Sequence, residues 1–294
     1  MSINRHNFTL TLWEKNIPNY IDIGDKNTEI FRDSLEIYTT IDKPEITVFL
    51  PSKKNSTGQA VLIIPGGGYE VVVHGREGYD VAKWLNSFGI AGIVLKYRLP
   101  HSKSNIIGHR SPLIDAIRAL RTIRFYAKKW GIDEDNIGVM GFSAGGHISA
   151  MLGTHFDELI YDTNDAIDNL SARPDFMILI YPVITMIEDF THSGSKFFLL
   201  GQNPGDQLTN YYSCEKNITE KTPSTFIVHS TDDKVVSIEN SIAFYKELIK
   251  NKIDAEMHIF NHGEHGFSLA NGAGRIESWK SLCIEWLRNC KKQK

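Results

Sequence analysis

An α/β fold, with a mostly parallel sheet doubly wound by helices on both faces, is what the 294-residue sequence predicts. Three observations predict it. Short, near-continuous apolar runs recur along the chain. Amphipathic stretches lie between them on short connectors. Glycine clusters follow two of the runs directly. Strands covered on both faces require such runs, and strand alternating with helix makes parallel neighbours joined by right-handed crossovers.

The elements follow in order. Residues 46–50 (Ile-Thr-Val-Phe-Leu) read as a strand stopped by Pro51, and 60–64 (Ala-Val-Leu-Ile-Ile) as the next. A helix over 77–88 places Val81, Trp84, Leu85 and Phe88 on one face, and 90–95 is the strand after it. The clearest helix is 111–130. Ser111 can cap it, Pro112 suits its first turn, and Leu113, Ile117, Leu120, Ile123 and Ala127 form its buried stripe before Gly131 ends it. Strands at 137–140, 175–181, 225–228 and 255–260 follow, with helices at 237–250 and 275–288. One long irregular stretch, 182–221, sits between two late strands, where lids and binding loops are found. The expectation is a single domain over 1–294 with 182–221 as a lid or substrate-pocket insertion.

Composition excludes several classes. With 41% hydrophobic and 23% charged residues the chain is of ordinary globular type. The formal charge of −3, from 32 basic against 35 acidic residues, is wrong for a nucleic-acid binder, whose affinity rests on neutralised phosphates. The basic run Lys291 to Lys294 reads as a solvated terminus. Cys214, Cys283 and Cys290 make no disulfide framework; seven residues along one helix put the last two about 10 Å apart, beyond bridging distance. The polar start (Met-Ser-Ile-Asn-Arg-His-Asn-Phe) lacks the apolar run of a secretion signal, and no stretch is apolar and long enough to span a bilayer, so a cytoplasmic, membrane-free protein is expected.

Gly141-Phe-Ser-Ala-Gly145 follows the 137–140 strand, and a helix through His147, Ile148, Met151 and Leu152 follows it. A serine on a tight strand-to-helix turn is lifted above the sheet, and the turn has no room for side chains at its flanks. Glycines therefore flank it, and the helix start aims N–H groups at the site. Ser143 is the candidate nucleophile. Pro65-Gly-Gly-Gly-Tyr69 directly follows the 60–64 strand. Acyl transfer builds negative charge on a carbonyl oxygen, and preorganised N–H donors stabilise it. The N–H groups of Gly67, Gly68 and Ala144 are the candidates. The loop lacks the Gly-Lys-Ser/Thr ending of a phosphate loop and the spacing of a dinucleotide fingerprint. Tyr69, closing this loop, and Tyr181, at the entrance of the long stretch, are expected to contact substrate.

A serine nucleophile needs a base and an orienting acid, which in this chain order follow it as acid, then histidine. Asp232 and Asp233 compete for the acid after the 225–228 strand, and His262 and His265 for the base after 255–260. Asp233, with Val236 three residues on, resembles the Asp-x-x-Val pattern that follows this strand in serine hydrolases. His265, in the loop Gly263-Glu-His-Gly-Phe267, suits a histidine aimed at the site. Asp233 and His265 are therefore taken. His147 reads as a structural hydrogen-bonder. His258 and His262 are spaced as metal ligands are on a helix, yet they straddle a strand end, and no metal or cofactor is expected.

The whole pattern resembles the α/β-hydrolase superfamily, and within it the bacterial acetylxylan-esterase-like, carbohydrate-esterase-like branch. The stretches Ile64-Pro-Gly-Gly-Gly-Tyr69, Val81-Ala-Lys-Trp-Leu-Asn86, Val94-Leu-Lys-Tyr-Arg-Leu-Pro100, Gly138-Val-Met-Gly-Phe-Ser-Ala-Gly-Gly-His147, Ser171-Ala-Arg-Pro-Asp175 and Gly263-Glu-His-Gly-Phe267 carry the resemblance. Pro65 stands where lipase-like relatives have the His of His-Gly-Gly-Gly, and Ser237 where a Pro often follows Asp-x-x-Val. The resemblance implies a serine esterase that removes short acyl groups, acetyl first, from a small carbohydrate or similar alcohol. An amidase or peptidase on the same residues, or a general carboxylesterase or lipase-like enzyme, is the alternative. The expected partner is a small-molecule ester, with no nucleic acid and no membrane.

Overall fold

The computed structural model describes residues 7–24, 28–32, 35–163, 165–187 and 189–290. The first six residues of the polar start and the basic tail 291–294 lie outside them. In chain order the strands and α-helices are β1 (Asn7–Thr11), β2 (Thr28–Arg32), β3 (Leu35–Thr40), β4 (Glu45–Phe49), β5 (Ala60–Ile64), β6 (Val72–Val73), α1 (Asp80–Ser87), β7 (Ala91–Lys96), α2 (Ser111–Trp130), β8 (Ile137–Phe142), α3 (Ala144–Thr154), β9 (Phe176–Ile180), α4 (Ser193–Leu200), α5 (Asp206–Tyr211), β10 (Ser224–Ser230), α6 (Glu239–Lys250), β11 (Ala255–Phe260) and α7 (Trp279–Asn289).

Among the described residues, eight strands make one sheet in the order β1-β4-β7-β5-β8-β9-β10-β11. The pairs from β7 to β11 are parallel; β1 on β4 and β4 on β7 are antiparallel. The apolar runs are strands because both of their faces are covered. Ala60, Leu62 and Ile64 point into a core shared with α2, α3 and α6, while Val61 and Ile63 point into a second core with α1 and α7. That is the period-two alternation of a strand, with apolar residues on both sides. Trp84 of α1 meets Trp279 of α7 across the second core, ring centroids 5.4 Å apart.

Helix α2 buries the expected stripe of Leu113, Ile117, Leu120, Ile123 and Ala127 and ends at Gly131, whose φ of 73° is left-handed. Ser111 does not cap it. A 3-10 turn over Gly108–Arg110 leads into the helix, and the Ser111 hydroxyl donates instead to Asn105 Oδ1. The 77–88 helix also begins differently, through a wide π-helical turn over Gly75–Tyr79. Phe88 ends up exposed rather than in the core. The stretch 182–221 carries α4 and α5, and Leu199 joins the core.

The edge strand β1 and a small sheet of β2, β3 and β6 have no counterpart in the expected elements. Strand β1 alternates exposed and half-buried residues, so it presents no apolar run. Cys214, Cys283 and Cys290 are free thiols, and no helix among the described residues is long and apolar enough to cross a membrane.

Candidate active site

Four loops at the carboxyl ends of β5, β8, β10 and β11 build the site, where open α/β sheets place ligands. Strands β5 and β8 are neighbours, so the glycine loop and the serine turn arrive side by side. Ser143 has φ 52° and ψ −118°, a strained geometry for a residue with a side chain. The surroundings enforce it. Its N–H donates to Ile180 O at 3.1 Å, and its carbonyl accepts from Val183 N–H at 3.1 Å and His147 N–H at 3.2 Å. The flanking glycines are compulsory: a Cβ on Gly141 would lie 2.2 Å from Gly145 O, and one on Gly145 would lie 2.1 Å from Ile64 O.

Ser143 Oγ is 2.9 Å from His265 Nε2, and His265 Nδ1 is 2.7 Å from Asp233 Oδ2. The Asp233 side chain is fully buried. Burial alone would raise its carboxyl, but hydrogen bonds from His229 and His265, the His265 charge and a backbone N–H outweigh it and hold the group well below the usual carboxylate range. An ionised carboxylate only accepts, so His265 Nδ1 carries the proton and Nε2 is the acceptor facing the serine hydroxyl. The two backbone N–H groups of Val235 and Val236, both 2.9 Å from Asp233 Oδ1, complete its coordination.

The neighbouring candidates do something else. Asp232 Oδ1 accepts the N–H groups of Gly263 and Glu264 at 3.0 and 2.8 Å, so it clamps the loop that carries His265. His262 is 83% exposed at its side chain, and its Nδ1 sits 3.3 Å from Asp232 Oδ2. His258 turns to Glu256 at 2.6 Å. Among the described residues no three His, Cys, Asp or Glu side chains converge as a metal ion would require.

The glycine loop doubles back on itself. Gly67 and Gly68 have φ of 126° and 65°, and Gly67 O accepts from Glu70 and Val71 N–H at 3.1 and 3.0 Å. A Cβ on Gly67 would lie 2.2 Å from Val71 O. Gly66 N–H is already committed to Glu77 Oε2 at 2.7 Å. Among the described residues no acceptor takes the N–H groups of Gly67, Gly68 or Ala144. The last belongs to the first turn of α3, where N–H groups have no intrahelical partner.

Tyr69 and Tyr181, expected to contact substrate, both have buried side chains. Each buried phenol needs a partner and finds one in the interior. Tyr69 Oη is 2.6 Å from His147 Nδ1, whose Nε2 is 2.7 Å from Tyr212 O. That carbonyl can only accept, and burial lowers the His147 pKa to about 4, so the neutral ring donates from Nε2 and accepts the Tyr69 proton. Tyr181 donates to Glu77 Oε1 at 2.8 Å, accepts Ser268 N–H at 3.1 Å, and sets its ring edge-on to His265.

Two residues that sequence reasoning passed over thus support the site. Glu77, buried in the π-helical turn, ties the glycine loop to Tyr181 and so to the His265 loop. Burial raises its pKa against those hydrogen bonds. His229 places Nε2 3.1 Å from Asp233 Oδ2 and 3.0 Å from Val236 O. The only available signal was a carboxylate in a Gly-rich helix start and a polar residue ending an apolar strand.

A groove of about 500 Å³ opens beside His265. A cavity of about 560 Å³ between the start of α2 and α5, bounded by His109, Arg110, Glu158, Leu208 and Tyr211, holds none of Ser143, Asp233 and His265. Volume alone does not pick the site; the convergent groups do. A buried acid, an oriented imidazole, a serine hydroxyl on a strained turn and N–H groups with no acceptor among the described residues can together attack and stabilise an acyl carbonyl.

The sequence profile of the BD-FAE family matches residues 46–248, from β4 into α6. The chain belongs to the BD-FAE family. It is 40% identical to endo-1,4-beta-xylanase B of Butyrivibrio fibrisolvens over 72% of this chain and 33% of that protein. It is 34% identical to an acetylxylan esterase of Xylanibacter ruminicola over 76% of this chain and 44% of that one. The chain thus aligns with a third to under half of these curated relatives. Among solved structures, an acetyl ester-xyloside bifunctional hydrolase from Caldicellulosiruptor lactoaceticus superposes with a TM-score of 0.82 at 37% identity, covering 96% of both chains. A deep-sea metagenomic α/β hydrolase, MGS-M1, gives 0.63 at 25% identity over 90% of this chain and 97% of that one. The fold of this BD-FAE member is that of the α/β hydrolases.

Proposed function

We propose that this chain is a serine carboxylesterase that removes short acyl groups, acetyl first, from a small carbohydrate or similar alcohol. The reading rests on the continuous relay of Ser143 Oγ, His265 and Asp233 at 2.9 and 2.7 Å. His265 Nε2 takes the Ser143 proton as Oγ attacks the ester carbonyl. The N–H groups of Gly67, Gly68 and Ala144 hold the oxyanion. His265 then protonates the departing alcohol oxygen, and a water, deprotonated by the same nitrogen, releases the acid from the acyl-enzyme. The acetyl preference and the sugar are supported by the names of the acetylxylan esterase and the acetyl ester-xyloside hydrolase above. The reading takes the chain as one domain, with 182–221 as a lid or substrate-pocket insertion.

Hydrolysis of p-nitrophenyl acetate, butyrate and octanoate by the wild type and by Ser143→Ala tests it. Acetate is expected to be the best substrate, with a loss of about 10⁴-fold or more in the variant. Activity surviving the substitution removes Ser143 as nucleophile, and a p-nitroanilide cleaved faster than the matching ester replaces the esterase with an amidase.

A further inference from the structure

The candidate oxyanion donors sit on two separate pieces of chain. Gly67 and Gly68 belong to the loop after β5, and Ala144 opens α3. The pairing of β5 with β8 ends at Ile64 and Gly141, so the sheet does not set the spacing of loop and helix beyond that point. Close contacts limit how near the two can come. A Cβ on Gly66 would lie 2.7 Å from Phe142 O, and one on Gly145 would lie 2.5 Å from Pro65 O. Such contacts stop the loop and helix from closing further, but they do not keep them from parting. The loop over 65–69 is Pro-Gly-Gly-Gly-Tyr, so its one polar side chain is that of Tyr69. The backbone before it is tied elsewhere: Pro65 O accepts the Tyr97 hydroxyl at 3.1 Å, Gly66 N–H goes to Glu77, and Gly66 O accepts Val73 N–H at 3.0 Å. Among the described residues, the hydrogen bond that joins this loop to α3 is the one from the Tyr69 hydroxyl to His147 Nδ1, at 2.6 Å. We propose that Tyr69 and His147 are positioning residues for the hydrolysis, and that their hydrogen bond latches the glycine loop to α3 and so fixes Gly67 and Gly68 N–H against Ala144 N–H.

The latch has a fixed direction. Both side chains are buried, so neither exchanges its partner for water. Tyr212 O can only accept, so the His147 ring keeps its proton on Nε2 and offers Nδ1 as the acceptor. Tyr212 is held in turn: its hydroxyl donates to His109 O at 2.9 Å and lies 2.9 Å from His109 Nδ1. The brace therefore runs from the glycine loop through α3 to the end of α5, inside the 182–221 stretch. His147 is also tied to the nucleophile, four residues before it, because its N–H donates to Ser143 O. Tyr69 has φ 65°, a left-handed conformation that costs free energy in a residue with a side chain. The buried hydrogen bond offsets that cost and holds the turn. An oxyanion hole works because its donors are already in place when the charge develops, and a loop free to drift would lose that advantage.

The inference rests on the esterase reading, and one set of measurements separates the two. The enzymes are the wild type, Ser143→Ala, Tyr69→Phe, His147→Leu and His147→Gln, each compared per folded molecule after urea unfolding. The substrate is p-nitrophenyl acetate. The inhibitor is trifluoroacetone, whose carbonyl adds a serine hydroxyl and leaves an oxyanion where the tetrahedral intermediate has one. Tyr69→Phe, which removes a single oxygen, should lower kcat about thirtyfold with KM within about twofold of wild type. The inhibition constant of trifluoroacetone should rise by about the same factor. His147→Leu breaks the latch from its other side and should behave alike, whereas His147→Gln keeps an acceptor and a donor and should recover most of the loss. Wild-type kcat and trifluoroacetone affinity in folded Tyr69→Phe or His147→Leu, even with lowered stability, makes the bond structural only and overturns the proposal while leaving the esterase intact. A fall in kcat with unchanged trifluoroacetone affinity overturns it too, because the loss then lies outside the oxyanion donors. If the wild type does not hydrolyse the ester, or Ser143→Ala hydrolyses it equally well, the esterase reading itself is lost.

Discussion

Asp233 receives hydrogen bonds from His265, His229, Val235 and Val236, and it is this number of donors, against a fully buried side chain, that keeps the carboxylate ionised. Among the described residues His229 is the one side-chain donor to Asp233 besides His265. Removing it as His229→Leu strips a charge-assisted bond from the acid and lets Asp233 tilt, so kcat/KM on p-nitrophenyl acetate should fall about tenfold with KM little changed. His229→Gln keeps an N–H in reach and should recover part of the loss. Equal activity in all three proteins would show that the backbone N–H groups hold the acid unaided. The pH profile belongs at the same scale. Protonation of His265 Nε2 removes the acceptor for the serine proton, so activity should fall toward acid pH. Asp233, held far lower, does not set that limb. A profile flat over about pH 5 to 8 would contradict a histidine base.

At the scale of elements, the serine turn and the glycine loop are one joint. Gly145 lies against the carbonyls of both Ile64 and Pro65, at 2.1 and 2.5 Å from where its Cβ would stand. Those are backbone atoms, which cannot rotate away as a side chain does. Gly145→Ala must therefore push α3 off β5 or carry the glycine loop with it. Overpacking of this kind costs about 3 kcal/mol, and it displaces Gly67 and Gly68 from Ala144. Denaturant unfolding should show the loss, and esterase activity should fall far more than the folded fraction does. A variant as stable and active as wild type would mean that the two elements are not rigidly coupled. The element patterns themselves were legible: α2 and β5 were predicted to the residue, because periodicity and glycine punctuation are local. Strand β1 was not, since a half-exposed edge strand has no apolar run to read.

For the whole molecule, buried histidines tie stability to pH. Burial, with the Lys96 charge adding to it, lowers His74 to about 3, and burial lowers His147 to about 4. Both ring nitrogens of His74 lack a hydrogen-bond partner among the described residues, between the edges of Tyr38 and Tyr79. In the unfolded chain each would titrate near about 6.5. Between about pH 6.5 and pH 4 the unfolded state thus binds protons that the fold refuses, and stability falls as pH falls through that window. For His147 alone the loss is on the order of 3 kcal/mol, complete once the folded ring also protonates. Asp233 acts in the same direction lower down, its contribution present above the ordinary carboxylate range and lost as pH drops below it. Unfolding free energies at about pH 7 and pH 4.5 should differ by several kcal/mol. Equal values would mean that neither ring is buried neutral.

Local sequence carried the succession of strands and helices, the two glycine turns and the pairs of residues among which acid and base had to be chosen. Each of these is written within a few residues, as a period or a turn. Contacts between distant parts of the chain settled the rest. They gave Asp232 to the His265 loop and Asp233 to the His265 ring, adjacent residues with different partners. They turned Tyr69 and Tyr181 inward, the latter onto Glu77, 104 residues away. Local pattern sets which surfaces must be covered, whereas burial of a polar group is settled only by the partner that the finished fold brings to it.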